Sequence, residues 1–182
     1  MDDVKLIRRV LRSNDRNAAN ELVGRYYDEI YRYAFRQSIG NNTDTKQAAE
    51  DLTQDIFVSA LRSLSTFNPR KAGFRTWLYT VANSRLIDSK RKFRPNEVQI
   101  DETEIVYEQD FTDEIESQEL LRKIVCYIES KPSEIQKIFR LHLWNDFTFA
   151  QIAEVMELPE ATVKTKYYRI LKEIKEVFKD EY

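Results

Sequence analysis

The run TFAQIAEVMELPEATVKTKYYRIL, residues 148–171, holds the densest set of side chains able to recognise another molecule. Thr148 stands three residues before Gln151, the spacing of a capping box that starts a helix. Ile152, Ala153 and Val155 give that helix a buried side, and Ala153 is small where a second helix must cross. Glu157-Leu158-Pro159 makes the turn, with Leu158 as its apolar plug. Pro159-Glu160 opens the next helix with a pre-set φ and an acid near its N-terminus. Val163, Tyr167, Ile170, Leu171 and Ile174 then point inward. Thr162, Lys164, Thr165, Lys166, Tyr168, Arg169 and Lys172 are left for the outer face. Polar and cationic groups on one exposed face suit base edges and phosphates, as in a helix-turn-helix whose second helix enters the major groove. An ordinary helical hairpin with a solvated lysine face is the competing reading. Glu157 departs from the pattern, because many such turns place Gly there and a left-handed backbone costs a non-Gly residue about 1 kcal/mol.

A second constellation lies at 66–94, TFNPRKAGFRTWLYTVANSRLIDSKRKFR. Phe67, Phe74, Trp77, Tyr79 and Phe93 alternate with Arg70, Lys71, Arg75, Arg85, Lys90, Arg91, Lys92 and Arg94. Cations hold a phosphate backbone and aromatic rings offer platforms for unstacked bases. Phe74 and Trp77 also lie on the apolar stripe of their helix and read as core.

Catalysis finds no support. One histidine (His142) and one cysteine (Cys126) exclude multi-His and Cys-rich metal sites, and the three glycines cannot form a phosphate-binding loop. Glu50 and Asp51 are adjacent, so on a helix they diverge. No catalytic residue, metal ligand, cofactor or small-molecule substrate is expected. Cys126 reads as a core residue on the apolar side of its helix.

The formal net charge of the 182 residues is −2, which by itself argues against a nucleic-acid partner. Segment by segment the picture differs. Residues 62–94 carry 9 Lys/Arg and one acid, and residues 95–117 carry 9 acids and no Lys or Arg. A basic block beside an acidic one suggests a polyanion-binding surface next to a tether; a solvated basic face beside a disordered linker is the blander alternative.

The elements that must position these residues are helical throughout, because no stretch alternates at period two. Helices are predicted over 3–13 (Val4, Ile7, Val10 and Leu11 inward), 18–38 (Leu22, Val23, Tyr26, Tyr27, Ile30, Tyr33 and Ala34 inward), 45–64 and 74–93, with 65–73 a loop. After the acidic stretch come a helix bearing Leu120, Leu121, Ile124, Val125 and Ile128, another bearing Ile135, Ile138, Phe139 and Leu143, and the pair at 148–156 and 160–180. The predicted fold is all-α: two small helical domains, 1–94 and 118–182, joined by an acidic flexible linker, 95–117, with the helix-turn-helix in the second. Within the linker, Ile100, Ile105, Val106, Tyr107 and Phe111 could dock on a partner. The charged start MDDVKLIRRV and the lack of about 18 consecutive apolar residues predict a soluble cytoplasmic protein that is not membrane-inserted.

The run AAEDLTQDIFVSALRSLSTF followed by FRTWLYTVANSRLIDSKRK resembles the helical core of RNA polymerase sigma factors of the extracytoplasmic-function (ECF) type, in the sigma-70 family. The helix-turn-helix run resembles the promoter-reading module of the same family, in the same order along the chain. The resemblance covers about residues 18–182. It implies a factor that binds core RNA polymerase and promoter DNA and is held by an anti-sigma partner. Carried over, Asp51, Gln54, Asp55 and Phe57 make the polymerase contact; Arg75, Asn83, Arg85, Lys90, Arg91 and Lys92 serve the minus-10 element; and Thr162, Lys164, Thr165, Tyr168 and Arg169 serve the minus-35 element. Taken as residues alone, Phe57 reads as core and Asp51 and Asp55 as solvated helix acids. Asp88 fits a role in orienting Arg85 or in capping locally rather than in touching DNA. Lys164 and Thr165 stand where family members often carry Arg and Ser, which implies a different promoter preference. For the linker, the resemblance adds a mimic of nucleic acid in a basic polymerase channel to the solvated-tether reading. A helix-turn-helix regulator that acts without being a polymerase subunit is the alternative function, and it gives no reason for DLTQDIF.

Overall fold

A computed structural model describes residues 2–38, 45–92 and 115–179. Among them every regular element is a helix. The chain divides into two compact units, Met1–Val106 and Tyr107–Tyr182.

In the first unit, α1 (Asp3–Ser13) buries Leu6 and Ile7 and ends at Asn14, whose φ of 49° is left-handed. Asn tolerates that region better than most residues. Asp15 then caps α2 (Arg16–Ser38): its Oδ1 accepts from the backbone N–H of Asn17 at 3.0 Å and of Ala18 at 3.1 Å, and Arg9 donates to its Oδ2 at 2.7 Å. Those bonds favour the charged form and lower the Asp15 pKa. α3 (Thr45–Ser63) runs into a 3-10 turn, Leu64–Thr66, before α4 (Phe74–Lys92). The core gathers Leu22, Ile30, Tyr33 and Ala34 of α2, Ala49, Leu52, Ile56 and Ala60 of α3, and Leu78, Tyr79, Ala82 and Leu86 of α4. Thr53 is buried among them without an orphaned hydroxyl, because its Oγ1 donates to the Ala49 carbonyl at 2.7 Å.

The second unit comprises α5 (Ile115–Glu129), α6 (Ser133–Leu143), α7 (Phe149–Met156) and α8 (Glu160–Val177). The helix at Ile115 takes in the last three residues of the expected linker; 95–114 lies outside the described residues. The capping box at the head of α7 forms: Thr148 accepts from the Gln151 backbone N–H at 3.3 Å, and Gln151 Oε1 accepts from the Thr148 N–H at 2.9 Å. Glu157 ends α7 at φ 55°, and the Leu158 N–H closes back onto the Ala153 carbonyl at 2.9 Å. Pro159 is extended and sits one residue ahead of the first helical residue, Glu160. Val163, Tyr167, Ile170 and Ile174 are buried, while Leu171 is half-buried.

Several expected core positions face outward. Leu11 and Leu143 are each 51% exposed and Leu121 is 57% exposed. In α6 the inward place falls to Leu141 instead of Leu143. Cys126 is exposed and not core. It lies two residues from both half-buried Ile124 and buried Ile128, and each such step turns the helix by about 200°, onto the opposite side.

The left-handed Glu157 gives a direct test. Glu157→Gly is expected to stabilise the second unit by about 0.5–1 kcal/mol, read as a shifted denaturant midpoint; a loss of stability would mean that the Glu157 side chain outweighs the backbone strain.

Candidate nucleic-acid interface

The buried stripe of α8 determines which residues its other side presents. Tyr167 packs against Phe139 of α6 at 4.6 Å between ring centroids, against His142 at 4.9 Å and against Phe149 of α7 at 5.1 Å. Burial raises the pKa of its hydroxyl. His142 is held in turn, with Nδ1 2.8 Å from the Phe147 carbonyl and its ring stacked on Phe149 at 4.6 Å. With Tyr167 turned in, Tyr168 projects 57% exposed, and Lys164, Thr165 and Arg169 are exposed on α8. Thr162 is only half-buried.

Each of these groups already has a local engagement. Lys164 Nζ lies 2.7 Å from Glu160 Oε1, which raises the lysine pKa. Thr165 Oγ1 donates to the Ala161 carbonyl at 2.8 Å. Arg169 Nε is 3.8 Å from Glu173 Oε1. Lys166, expected on the outer face, is instead half-buried and ion-paired with Glu134 of α6.

On α4 the candidate residues do not form one cluster. Arg75 donates through Nε to Glu29 of α2 at 2.8 Å, and the Tyr79 hydroxyl donates to the same Glu29 oxygen at 3.0 Å. Burial and the Glu29 carboxylate push the Tyr79 pKa well above the usual tyrosine range. Arg75 therefore ties α4 to α2, with its side chain 35% exposed. Asn83 is half-buried two residues from exposed Arg85, on a different side of the helix. Arg85 Nη1 lies 3.6 Å from Asp88, in keeping with an orienting role for that acid. Lys90, Arg91 and Lys92 continue the helix, and their side chains lie outside the described residues, as do Phe93 and Arg94. Asn68, Arg70 and Lys71 are exposed in the loop before α4. Beneath it, Phe67 makes edge-on contact with Phe74 and Trp77, each at 5.7 Å. Phe74 is buried and Trp77 half-buried.

The α3 candidates separate by burial. Asp51, Gln54 and Asp55 are exposed, but Phe57 is only 7% exposed and stacks on Tyr27 of α2 at 6.2 Å. That contact reveals residues the sequence reading missed. Tyr27, expected in the core, is 39% exposed and begins a ladder that passes to Tyr31 at 6.5 Å and to Phe35 at 6.1 Å. Val58 and Leu61 of α3 are exposed as well. Aromatics at 27, 31 and 35, four apart, were the available signal.

Among the described residues no group of His, Cys, Asp and Glu could hold a metal ion, and no helix is long and apolar enough to cross a membrane.

Arg75→Ala is expected to cost about 1–2 kcal/mol of stability, as the loss of a charged hydrogen bond does. Arg85→Ala, on the surface, stays within about 0.5 kcal/mol. Urea melts of both variants separate the two roles; equal effects would contradict the assignment of Arg75 to packing.

Residues 22–94 match the family model Sigma-70 region 2, and residues 121–174 match Sigma-70, region 4. The ECF RNA polymerase sigma factor SigW of Bacillus subtilis (strain 168) is 29% identical over 170 residues, covering 87% of this chain and 88% of its own. The RNA polymerase sigma factor YlaC of the same organism is 29% identical over 167 residues, covering 88% and 91%. The solved structure of CnrH in complex with the cytosolic domain of CnrY shares the fold, with a TM-score of 0.65 at 18% identity over 100% of this chain and 99% of that one.

Proposed function

This chain belongs to the sigma-70 family of RNA polymerase sigma factors, in its ECF branch, and on that premise we propose that it binds core RNA polymerase and directs promoter-specific initiation. The observation that carries the reading is the presence of both regions, in order, on one chain. A helix-turn-helix regulator acting without polymerase has no use for the first match, over 22–94.

In this reading residues 1–94 hold the polymerase and the minus-10 element, the tether of 95–117 gives way to α5 at Ile115, and 118–182 reads the minus-35 element. Asp51, Gln54 and Asp55 make the polar part of the polymerase contact. Phe57 supports it from below through Tyr27, and the exposed apolar residues Tyr27, Phe35, Val58 and Leu61 supply its apolar part. Opening the minus-10 element splays a base from its stack, at a cost of a few kcal/mol. The loop cations Arg70 and Lys71, with Arg85, Lys90, Arg91 and Lys92, hold the strand's phosphates, and Asn83 reads a base edge through its amide. Arg75 serves this site by fixing α4 on α2. On α8, Lys164, Thr165, Tyr168 and Arg169, with Thr162 beside them, meet the minus-35 duplex. The protein supplies no catalytic group; the polymerase does the chemistry. It works in the cytoplasm, and an anti-sigma protein is its further partner, a reading supported by the family and by the likeness in fold to CnrH, solved with CnrY bound.

Run-off transcription with purified core enzyme tests the proposal. Promoter-specific transcripts are expected only when the protein is added, and their absence across a genomic library would overturn it. Lys164→Ala and Arg169→Ala should each weaken minus-35 recognition by roughly 1–3 kcal/mol. On the polymerase side, Gln54→Ala with Asp55→Ala should weaken binding to core enzyme at least about tenfold, the size expected of central interface residues, with an unchanged thermal midpoint. Phe57→Ala is expected to lose stability first, by about 3–5 kcal/mol.

A further inference from the structure

The DNA-facing cations of α8 carry their own counter-charges. Glu160 lies 2.7 Å from Lys164, Glu173 lies 3.8 Å from Arg169, and Glu176 lies 3.9 Å from Lys172. An exposed i,i+4 pair contributes little to helix stability, a few tenths of a kcal/mol. Its larger consequence falls on ligand binding, because a cation already facing a carboxylate releases fewer counterions when it meets a phosphate.

Glu160 sits where its charge is favoured, and Glu173 is anchored independently of the cation it faces. Glu160 is the first residue of α8, where the helix N-terminus favours negative charge. Glu173 is held from α5 and the turn after it: Lys131 of the turn donates to its Oε2 at 3.0 Å and the Tyr127 hydroxyl of α5 donates to the same oxygen at 3.2 Å. Lys131 also lies 4.0 Å from the Tyr127 ring centroid, which keeps the trio together. When Arg169 turns to a phosphate, Glu173 is still held by Lys131 and Tyr127.

We propose that Glu160 and Glu173 are affinity-setting residues of the recognition face, carboxylates that face Lys164 and Arg169 in the free protein and keep its own duplex binding weak. Stable DNA binding then depends on contacts made elsewhere in the polymerase assembly. The inference rests on the proposed minus-35 role of α8.

Fluorescence anisotropy of the full chain with a random-sequence duplex, titrated over a range of salt, tests it. Glu160→Gln with Glu173→Gln should tighten binding by roughly three- to tenfold and steepen the log–log salt dependence by about one to two. Glu173→Gln alone should give part of the gain, since its amide oxygen still accepts from Tyr127 and Lys131, and that gain should vanish in an Arg169→Ala background. Glu21→Gln removes the same charge from an exposed pair with Arg25 in the first unit and should change nothing. No gain, a gain matched by Glu21→Gln, or a Glu173→Gln gain that survives without Arg169 would overturn the inference. Duplex binding that is indifferent to both Lys164→Ala and Arg169→Ala would instead remove the minus-35 reading beneath it.

Discussion

The second unit turns on where the ring of Tyr167 goes. Packed against Phe139, His142 and Phe149, it joins α6, α7 and α8 at one point. An α-helix advances about 100° per residue, so once Val163, Tyr167, Ile170 and Ile174 are buried, the outward positions follow. Lys164, Thr165, Tyr168 and Arg169 are presented because their neighbours are buried. The turn before α8 obeys the same requirement. Glu157 accepts a left-handed backbone because that conformation lets Leu158 close on Ala153 and sends the next helix across α7. Local strain there is offset by packing.

In the first unit charge has the comparable positioning role. Glu29 receives both Arg75 and Tyr79, fastening α4 to α2 across 46 and 50 residues of sequence. The helix that bears the basic block is thereby held by one of its own cations. The same economy recurs on α8, where Glu160 and Glu173 face Lys164 and Arg169. In both units basic groups suited to phosphate are set against acids already in place.

Helices, their breaks and the helix-turn-helix were legible in the sequence because each rests on short-range physics. The capping box at Thr148, the turn at Glu157 and the inward stripe of α8 depend on residues within a turn or two of one another. Less was legible where a long-range partner decides the outcome. Glu29 lies too far along the chain for any spacing rule to link it with Arg75, so Arg75 read as a phosphate ligand. Phe57 read as both anchor and core, and only the facing Tyr27 shows it to be buried. Leu11, Leu121, Leu143 and Cys126 sit beside apolar neighbours in sequence yet face outward, because each helix buries a narrower stripe than its composition suggests. The acidic segment carried composition without periodicity, which suggests a tether but no conformation.

The proposed function divides the labour: one unit would present acids and exposed rings to the polymerase and cations to an opened strand, and the other a helix face to duplex DNA. Permanganate footprinting of a responsive promoter, with core polymerase and this protein together and apart, tests that claim most directly. Reactive, unpaired thymines are expected at the minus-10 element only when both are present, and are expected to be lost with the Lys164→Ala/Arg169→Ala protein. Opening by the protein alone, or opening with polymerase that ignores those two residues, would contradict it.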